Sequence, residues 1–257
     1  MPRYIVNRKI EPHIIREREK LVNLLALDAS TEACSVALSL NGKIYSRFEL
    51  CPQSHSLLLL PMVDEVLKDA DCQLTSLDGI VFGQGPGSFT GVRIGVGVAQ
   101  GLSFSANLPL VGISTLQTMA QLAFEKYQQK QVISTIDARM SEVYNGFYQL
   151  DENNIMQAIL PESVIAPELL SEHFSRIFTE KNISAAYGVG TGWQAYESTL
   201  SSLKSNQGEP AILFPHAEAM FSIALAEFEA GKAVKAENAQ PVYVRDTVSW
   251  KKLPGKT

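Results

Sequence analysis

Leu24-Leu-Ala-Leu-Asp-Ala-Ser-Thr-Glu32 opens with an apolar run, ends that run on an acid and passes into small hydroxylated residues. Four consecutive apolar residues are too few for a helix of ordinary length and suit a strand buried on both faces, with Asp28 at its carboxyl end. Immediately downstream, Cys34 to Leu40 and Lys43 to Leu50 flank Asn41-Gly42, a dipeptide whose tolerance of positive φ favours a two-residue hairpin turn. Three successive strands are therefore expected.

Working outward, Ser54 to Ala70 reads as a helix with Ser54 as its cap and apolar residues at Leu57, Leu58, Pro61, Val63 and Val66. Asp78 to Phe82 reads as a short strand that runs through Gly83-Gln-Gly-Pro-Gly-Ser-Phe-Thr-Gly91 into a helix from about Val92 to Ser105. A strand at Leu110 to Ile113 and a helix at Ser114 to Tyr127 follow. A strand meander followed by alternating helices and strands is the order of a ribonuclease-H-like sheet, the half-unit of the actin and sugar-kinase fold. A hairpin of Val132 to Asp137 and Glu142 to Leu150 around Ala138-Arg-Met-Ser141 begins a second, smaller unit of similar kind. His216 to Glu229 reads as a helix and Pro241 to Arg245 as an extended stretch. The expected organisation is an extension over 1–23, an N-terminal lobe over 24–128, and a C-terminal lobe over 129–257 that includes the last helix and a basic tail.

Composition bounds the function. A chain of 257 residues that is 46% hydrophobic can bury one large core or two half-size ones without disulfide staples. Apolar runs of a few residues fall far short of the roughly 20 that cross a bilayer, and the charged N-terminus contains no signal-peptide core, so a cytoplasmic protein is expected. Cys34, Cys51 and Cys72 form no CxxC pair, and the spacing suggests neither a disulfide framework nor a zinc site. The net charge of −5 opposes strong direct binding to nucleic acid, since phosphate contacts need concentrated positive charge. Residues 1–21 nevertheless hold six basic residues against three acids, and Arg245, Lys251, Lys252 and Lys256 make the C-terminus basic.

Asp28, Ser30 and Thr31 have the arrangement by which an acid at a strand end holds a metal ion while nearby hydroxyls hold phosphates. The plainer alternative is that Asp28 accepts hydrogen bonds from loop amides and the two hydroxyls shape the turn. Gly85, Gly87, Ser88 and Thr90, with Arg93 in the first helical turn, resemble a phosphate-cradling loop, although the terminal Lys-Ser/Thr of a Walker loop is missing and such turns also serve packing. These eight residues form a candidate nucleotide or anion site. No HxxxH or HExxH pair is present among His13, His55, His173 and His216, so no metal ligand is assigned, and no nucleophile has an adjacent base in sequence. Gly97 and Gly101 leave one stripe of their helix nearly bare, which permits close helix packing.

The runs Leu25 to Leu38, Gly85 to Gly95, Asp137-Ala-Arg-Met-Ser-Glu-Val-Tyr144 and Pro241-Val-Tyr-Val-Arg245 resemble, in order and over about residues 24–255, the TsaB family, also called YeaZ. The resemblance implies a two-lobed actin-like ATPase fold with a degenerate active site. It implies a subunit without catalytic residues that pairs with the transferase TsaD and, with the ATPase TsaE, supports threonylcarbamoyl transfer to adenosine 37 of tRNAs reading codons that begin with A. It implies that tRNA is contacted through the complex, that ATP and magnesium belong to the complex, and that this chain requires no cofactor of its own. The catalytic relative carries an HxxxH metal pair where this chain reads Val111-Gly-Ile-Ser-Thr-Leu-Gln-Thr-Met119, with no histidine. The resemblance also suggests docking through the first two helices, with Leu58, Met62, Val66, Gly97 and Gly101 at the interface; when TsaD is absent a homodimer through the same surface is expected, because an exposed apolar patch of that size rarely stays solvated. Two other readings compete: an ATPase or sugar-kinase-like enzyme resting on Asp28 and the glycine loop, and a metallopeptidase, which the missing HxxxH opposes.

Overall fold

The computed structural model describes residues 22–206, 208 and 210–245. Residues 1–21 of the extension and the basic tail from 246 lie outside the described residues.

The opening apolar run is the centre of the first sheet. Strands β1 (Leu24–Asp28), β2 (Ala33–Leu40) and β3 (Lys43–Leu50) form an antiparallel meander, and the β2–β3 turn is Asn41-Gly42, both with positive φ. Helix α1 (His55–Asp69) leads to β4 (Gly79–Gly85), helix α2 (Phe89–Ala106) to β5 (Leu110–Ser114), and both strands run parallel to β1 in the order β3-β2-β1-β4-β5. Alternation along β1 assigns the two faces. Leu25 and Leu27 pack with Val36, Ile80 and Phe82 against α1 and α2, while Leu24 and Ala26 join Val81, Val111 and Ile113 on the other face.

Helix α3 (Thr115–Tyr127) follows, then a hairpin of β6 (Gln131–Asp137) and β7 (Val143–Leu150), short strands β8 (Met156–Ala158) and β9 (Ser163–Ile165) that both pair with β7, and helix α4 (Leu170–Glu180). Strand β10 (Tyr187–Val189) then pairs parallel with β6, and α5 (Thr191–Ala195) and α6 (Glu197–Leu200) follow. A meander followed by a helical crossover to a strand parallel with the first is the plan of the first sheet, repeated in shorter form.

Two helices cover the opposite sheet from the one their sequence position suggests. Helix α3, placed with residues 24–128 on sequence grounds, packs Leu116, Met119, Leu122 and Ala123 against Val132, Ile136 and Val189 of the second sheet. Helix α7 (Met220–Glu229), placed in the C-terminal lobe, packs Met220, Ile223 and Ala224 on the first sheet. Its expected first turn is a 3-10 turn over Ala217–Ala219. The physical reason is coverage: each two-faced sheet needs a layer on both sides, and the first would otherwise leave Leu24, Ala26 and Val111 in water. No helix among the described residues is long and apolar enough to cross a membrane.

Candidate functional site

Asp28 ends β1 and Asp137 ends β6, the corresponding position of the second sheet, and between the two sheets lies a cavity of about 850 Å³ lined by Ser30, Thr31, His55, Arg93, Arg139 and Tyr243 among others. The strand ends therefore face one shared cleft. Arg93 is held there by aromatic rings, its guanidinium 3.2 Å from the Phe89 ring centroid and 5.2 Å from that of Tyr243. Arg139 reaches across from the second sheet, 3.7 Å from Glu32 and 3.5 Å from Asp137. Residues 241–245 close one wall: the Val242 amide donates to the Gln84 carbonyl at 2.8 Å, and Arg245 pairs with Glu142 at 2.5 Å and donates to the Ala138 carbonyl at 3.3 Å. Arg139 and Tyr144, both within the family-like run from Asp137 to Tyr144, thus flank the cleft; Arg139, Met140 and Ser141 all take positive φ.

Of the eight residues read as a nucleotide or anion site, Ser30, Thr31, Gly87, Ser88 and Arg93 line this cavity, whereas Asp28, Gly85 and Thr90 are not on its wall. Asp28 is only 1% exposed. Its Oδ1 accepts from the Ser30 amide at 2.9 Å and from the Ser30 hydroxyl at 2.8 Å, and Thr115 Oγ1 in turn donates to Ser30 Oγ at 2.9 Å. Burial pushes the Asp28 carboxyl up to about 6, against the pull of Ser30 and His55. An acid whose partners are all internal is spent on holding the loop, which is the plainer of the two readings of this residue.

The glycines have the same explanation. A Cβ on Gly83 would overlap the Asp28 carboxylate, one on Gly87 the Ser30 carbonyl, and one on Gly91 the Ala29 carbonyl. The loop lies directly on the backbone that follows β1, and only hydrogen fits between. Ser88 caps α2 by accepting from the Gly91 amide at 3.4 Å, so this helix begins at Phe89, earlier than the sequence indicates. Gly87→Ala should therefore lower the free energy of unfolding by about 2 kcal/mol, since the obstruction is backbone that cannot rotate away. Gly97→Ala, where a Cβ meets nothing, should raise it by about 0.5–1 kcal/mol through lost unfolded-state freedom. Urea titration of both variants checks the pair, and equal effects would show that the loop yields.

The docking residues divide. Gly97 and Gly101 are exposed on α2, as the bare stripe requires. Met62 and Val66 do not face outward: they are 4% and 0% exposed and belong to the core between α1 and the first sheet. Leu58 is half buried against that core. The outward residues of α1 are Leu57 and Leu60, 73% and 50% exposed, with Phe104 of α2 at 83%. The cause is that α1 is apolar on both sides, so the strip that fills the ridge of the sheet had to be chosen by packing. Ser54 precedes α1 without capping it through its side chain.

One cluster has no signature in sequence spacing. Cys34, Cys51 and His55 are buried together, their donor atoms within 4.8 Å of one another.

Two α/β sheets on one plan, each first strand ending in an acid and the loops after both strands lining a common cleft, define an actin-like ATPase-fold protein. The family model for TsaD, tRNA N6-adenosine threonylcarbamoyltransferase, matches residues 48–245. The tRNA threonylcarbamoyladenosine biosynthesis protein TsaB of Escherichia coli (strain K12) is 47% identical over 237 residues, covering 91% of this chain and 100% of that protein. The TsaB protein of Haemophilus influenzae is 41% identical over 244 residues, covering 91% and 98%. A crystal structure from Pseudomonas aeruginosa, of a protein with similarity to peptidase YEAZ, superposes with a TM-score of 0.75 at 41% identity, covering 87% of this chain and 100% of that one. The chain belongs to the TsaB (YeaZ) family.

Proposed function

We propose that this chain serves the biosynthesis of threonylcarbamoyladenosine in tRNA as a non-catalytic, activating subunit. It pairs with a TsaD-type transferase, acts with the ATPase TsaE on adenosine 37, and meets tRNA through the assembly. The relatives that it covers almost end to end carry that pathway in their names, which supports the coarser part of the reading. The observation that carries the finer part is at the start of α3. There the chain matches a transferase family yet has no imidazole: Thr115 and Thr118 are buried, bonded to Ser30 Oγ and to the Ser114 carbonyl, and Met119 is fully buried in the second core. Hydroxyls and a thioether already committed to internal contacts make a poor seat for a catalytic divalent ion.

The chemistry of transfer then falls to the partner, and ATP and magnesium are taken up by the assembly. What this chain offers is exposed Leu57 and Leu60 on α1 and, on α2, exposed Phe104 at helical spacing from the open Gly97 and Gly101, a stripe on each helix suited to a partner helix. In the absence of the transferase the same stripes pair with a second copy. Reconstitution tests the reading: purified chain, transferase and ATPase, singly and mixed, are given tRNA and threonylcarbamoyl-adenylate, and the modified nucleoside is quantified. Product is expected only when chain and transferase are both present. Product from this chain alone would overturn the proposal.

A further inference from the structure

The pairing of β2 with β3 assembles a donor set that no motif announces. Cys34 lies opposite Glu49, and the ladder continues past β3, where the Cys51 amide donates to the Glu32 carbonyl at 2.9 Å. Residues opposed across a ladder share a face, as do residues two apart along a strand. Cys51, opposite Glu32, therefore projects on the same face as Cys34, and His55, the first residue of α1, closes over both. All three are buried, with two sulfurs and one ring nitrogen within 4.8 Å of one another.

We propose that Cys34, Cys51 and His55 bind a zinc ion, with the fourth position open to the inter-lobe cavity. A zinc ion about 2.3 Å from thiolate and about 2.0 Å from imidazole holds its donors about 3.5–4 Å apart, so closing on the metal needs at most about 1 Å of side-chain movement. A hydrogen bond selects the tautomer of the His55 ring. Its Nε2 lies 2.7 Å from the Thr31 carbonyl, which can only accept, so in the neutral ring Nε2 carries the proton and Nδ1 the lone pair. An imidazole that donates one nitrogen to a backbone carbonyl and keeps the other basic is the usual supporting arrangement of a zinc-bound histidine.

Charge favours a divalent ion. Binding follows Zn²⁺ + 2 Cys-SH → Zn(S-Cys)₂ + 2 H⁺, with the Nδ1 lone pair completing three bonds. Two thiolates and a neutral imidazole around Zn²⁺ sum to zero, which a buried site tolerates where a lone thiolate is penalised. His55 and Thr31 also line the cavity, which gives an ion and water from the cleft a route to the cluster. The proposal stands apart from the role in tRNA modification.

The test uses the full chain carrying Cys72→Ser, which removes the thiol outside the cluster. It is stripped with chelator and titrated with Zn²⁺ alone near neutral pH. One zinc per chain by native mass spectrometry is expected, with release of about two protons per zinc in calorimetry. Cobalt(II) in place of zinc should show thiolate-to-metal charge-transfer absorption. Cys51→Ser, at the edge of the core, and His55→Gln should each weaken binding by more than the roughly 10–100-fold that changes outside the ligand shell cost. Circular dichroism establishes that they fold, and proton release and the cobalt spectrum of the parent chain stand independently of any variant. No stoichiometric zinc, binding without proton release, affinity unchanged in Cys51→Ser, or a Cys34–Cys51 disulfide in place of a metal site overturns the proposal.

Discussion

The double variant Leu57→Glu plus Leu60→Glu is expected to fold as the parent does and to lose its complex with a TsaD-type transferase. Both side chains stand in water on the outer side of α1, so a charge there leaves the core untouched and should change stability by no more than about 0.5 kcal/mol. At an interface the same two carboxylates would be stripped of water without partners. Even a partial penalty of about 4 kcal/mol raises Kd about 1000-fold. Light scattering after size exclusion, with the transferase in equimolar mixture, reads the outcome directly. Val66→Glu is the contrast, since that residue is fully buried and a charge there should unfold the chain before any question of binding arises. Gly97→Ala separates docking from folding in a second way: it steadies free α2 but adds a methyl group to the stripe that a partner helix must approach. Retention of the complex by the double glutamate variant would move the docking surface elsewhere and remove the structural support for the partner reading.

What could be read in sequence was whatever local chemistry decides. The apolar run ending at Asp28, the Asn41-Gly42 turn, the glycine loop and the hairpin after Gln131 are each specified by residues adjacent in the chain, and each is found close to its expected place. What escaped depended on choices made between elements. Leu57-Leu-Leu-Leu-Pro61 gives α1 apolar residues all round, so periodicity could not say that Leu59, Met62 and Val66 turn inward while Leu57 and Leu60 remain outside. The exchange of α3 and α7 between sheets has no local cause at all, because either helix has an apolar face that either sheet would accept. The role of Asp28 was open for a related reason. Its burial is produced by Gly83 and Ser30 closing on it, and a carboxylate at a strand end looks the same in sequence whether a ligand or a loop amide takes its charge. The Cys34, Cys51 and His55 cluster is the extreme case, since strand pairing alone brings the two sulfurs to one point.

Between about pH 4 and pH 6 two large effects on stability oppose each other in the metal-free parent chain, while Glu125, raised by desolvation from 4.5 to about 7, adds a further loss as pH rises. Asp28 is raised from 3.8 to about 6 by burial, so the folded chain holds this proton more tightly than the unfolded chain does. Its stabilising contribution is full below pH 3.8 and is lost as pH rises through 6. His216, stacked on Phe48 with ring centroids 4.2 Å apart, is lowered from 6.5 to about 4 by burial and by Lys126. Its contribution is full above pH 6.5 and is lost as pH falls through 4. Each shift of roughly two pH units corresponds to about 3 kcal/mol, and the two windows overlap almost entirely. Removing either partner therefore exposes the other. Asp28→Asn keeps an acceptor for the Ser30 amide and hydroxyl, should be more stable than the parent at pH 7 by up to about 3 kcal/mol, and should lose that advantage as pH falls from 6 to 3.8. His216→Phe keeps the stack on Phe48 and should instead lose stability as pH rises from 4 to 6. Urea titrations of the two variants in chelator, each subtracted from the parent at the same pH, cancel Glu125, Glu162 and the exposed carboxylates common to all three. An Asp28→Asn chain that is less stable than the parent at pH 7, with an unchanged pH profile, would mean that Asp28 is ionised and held by a partner in the cleft, and would return this residue to the nucleotide or metal reading that its burial opposes.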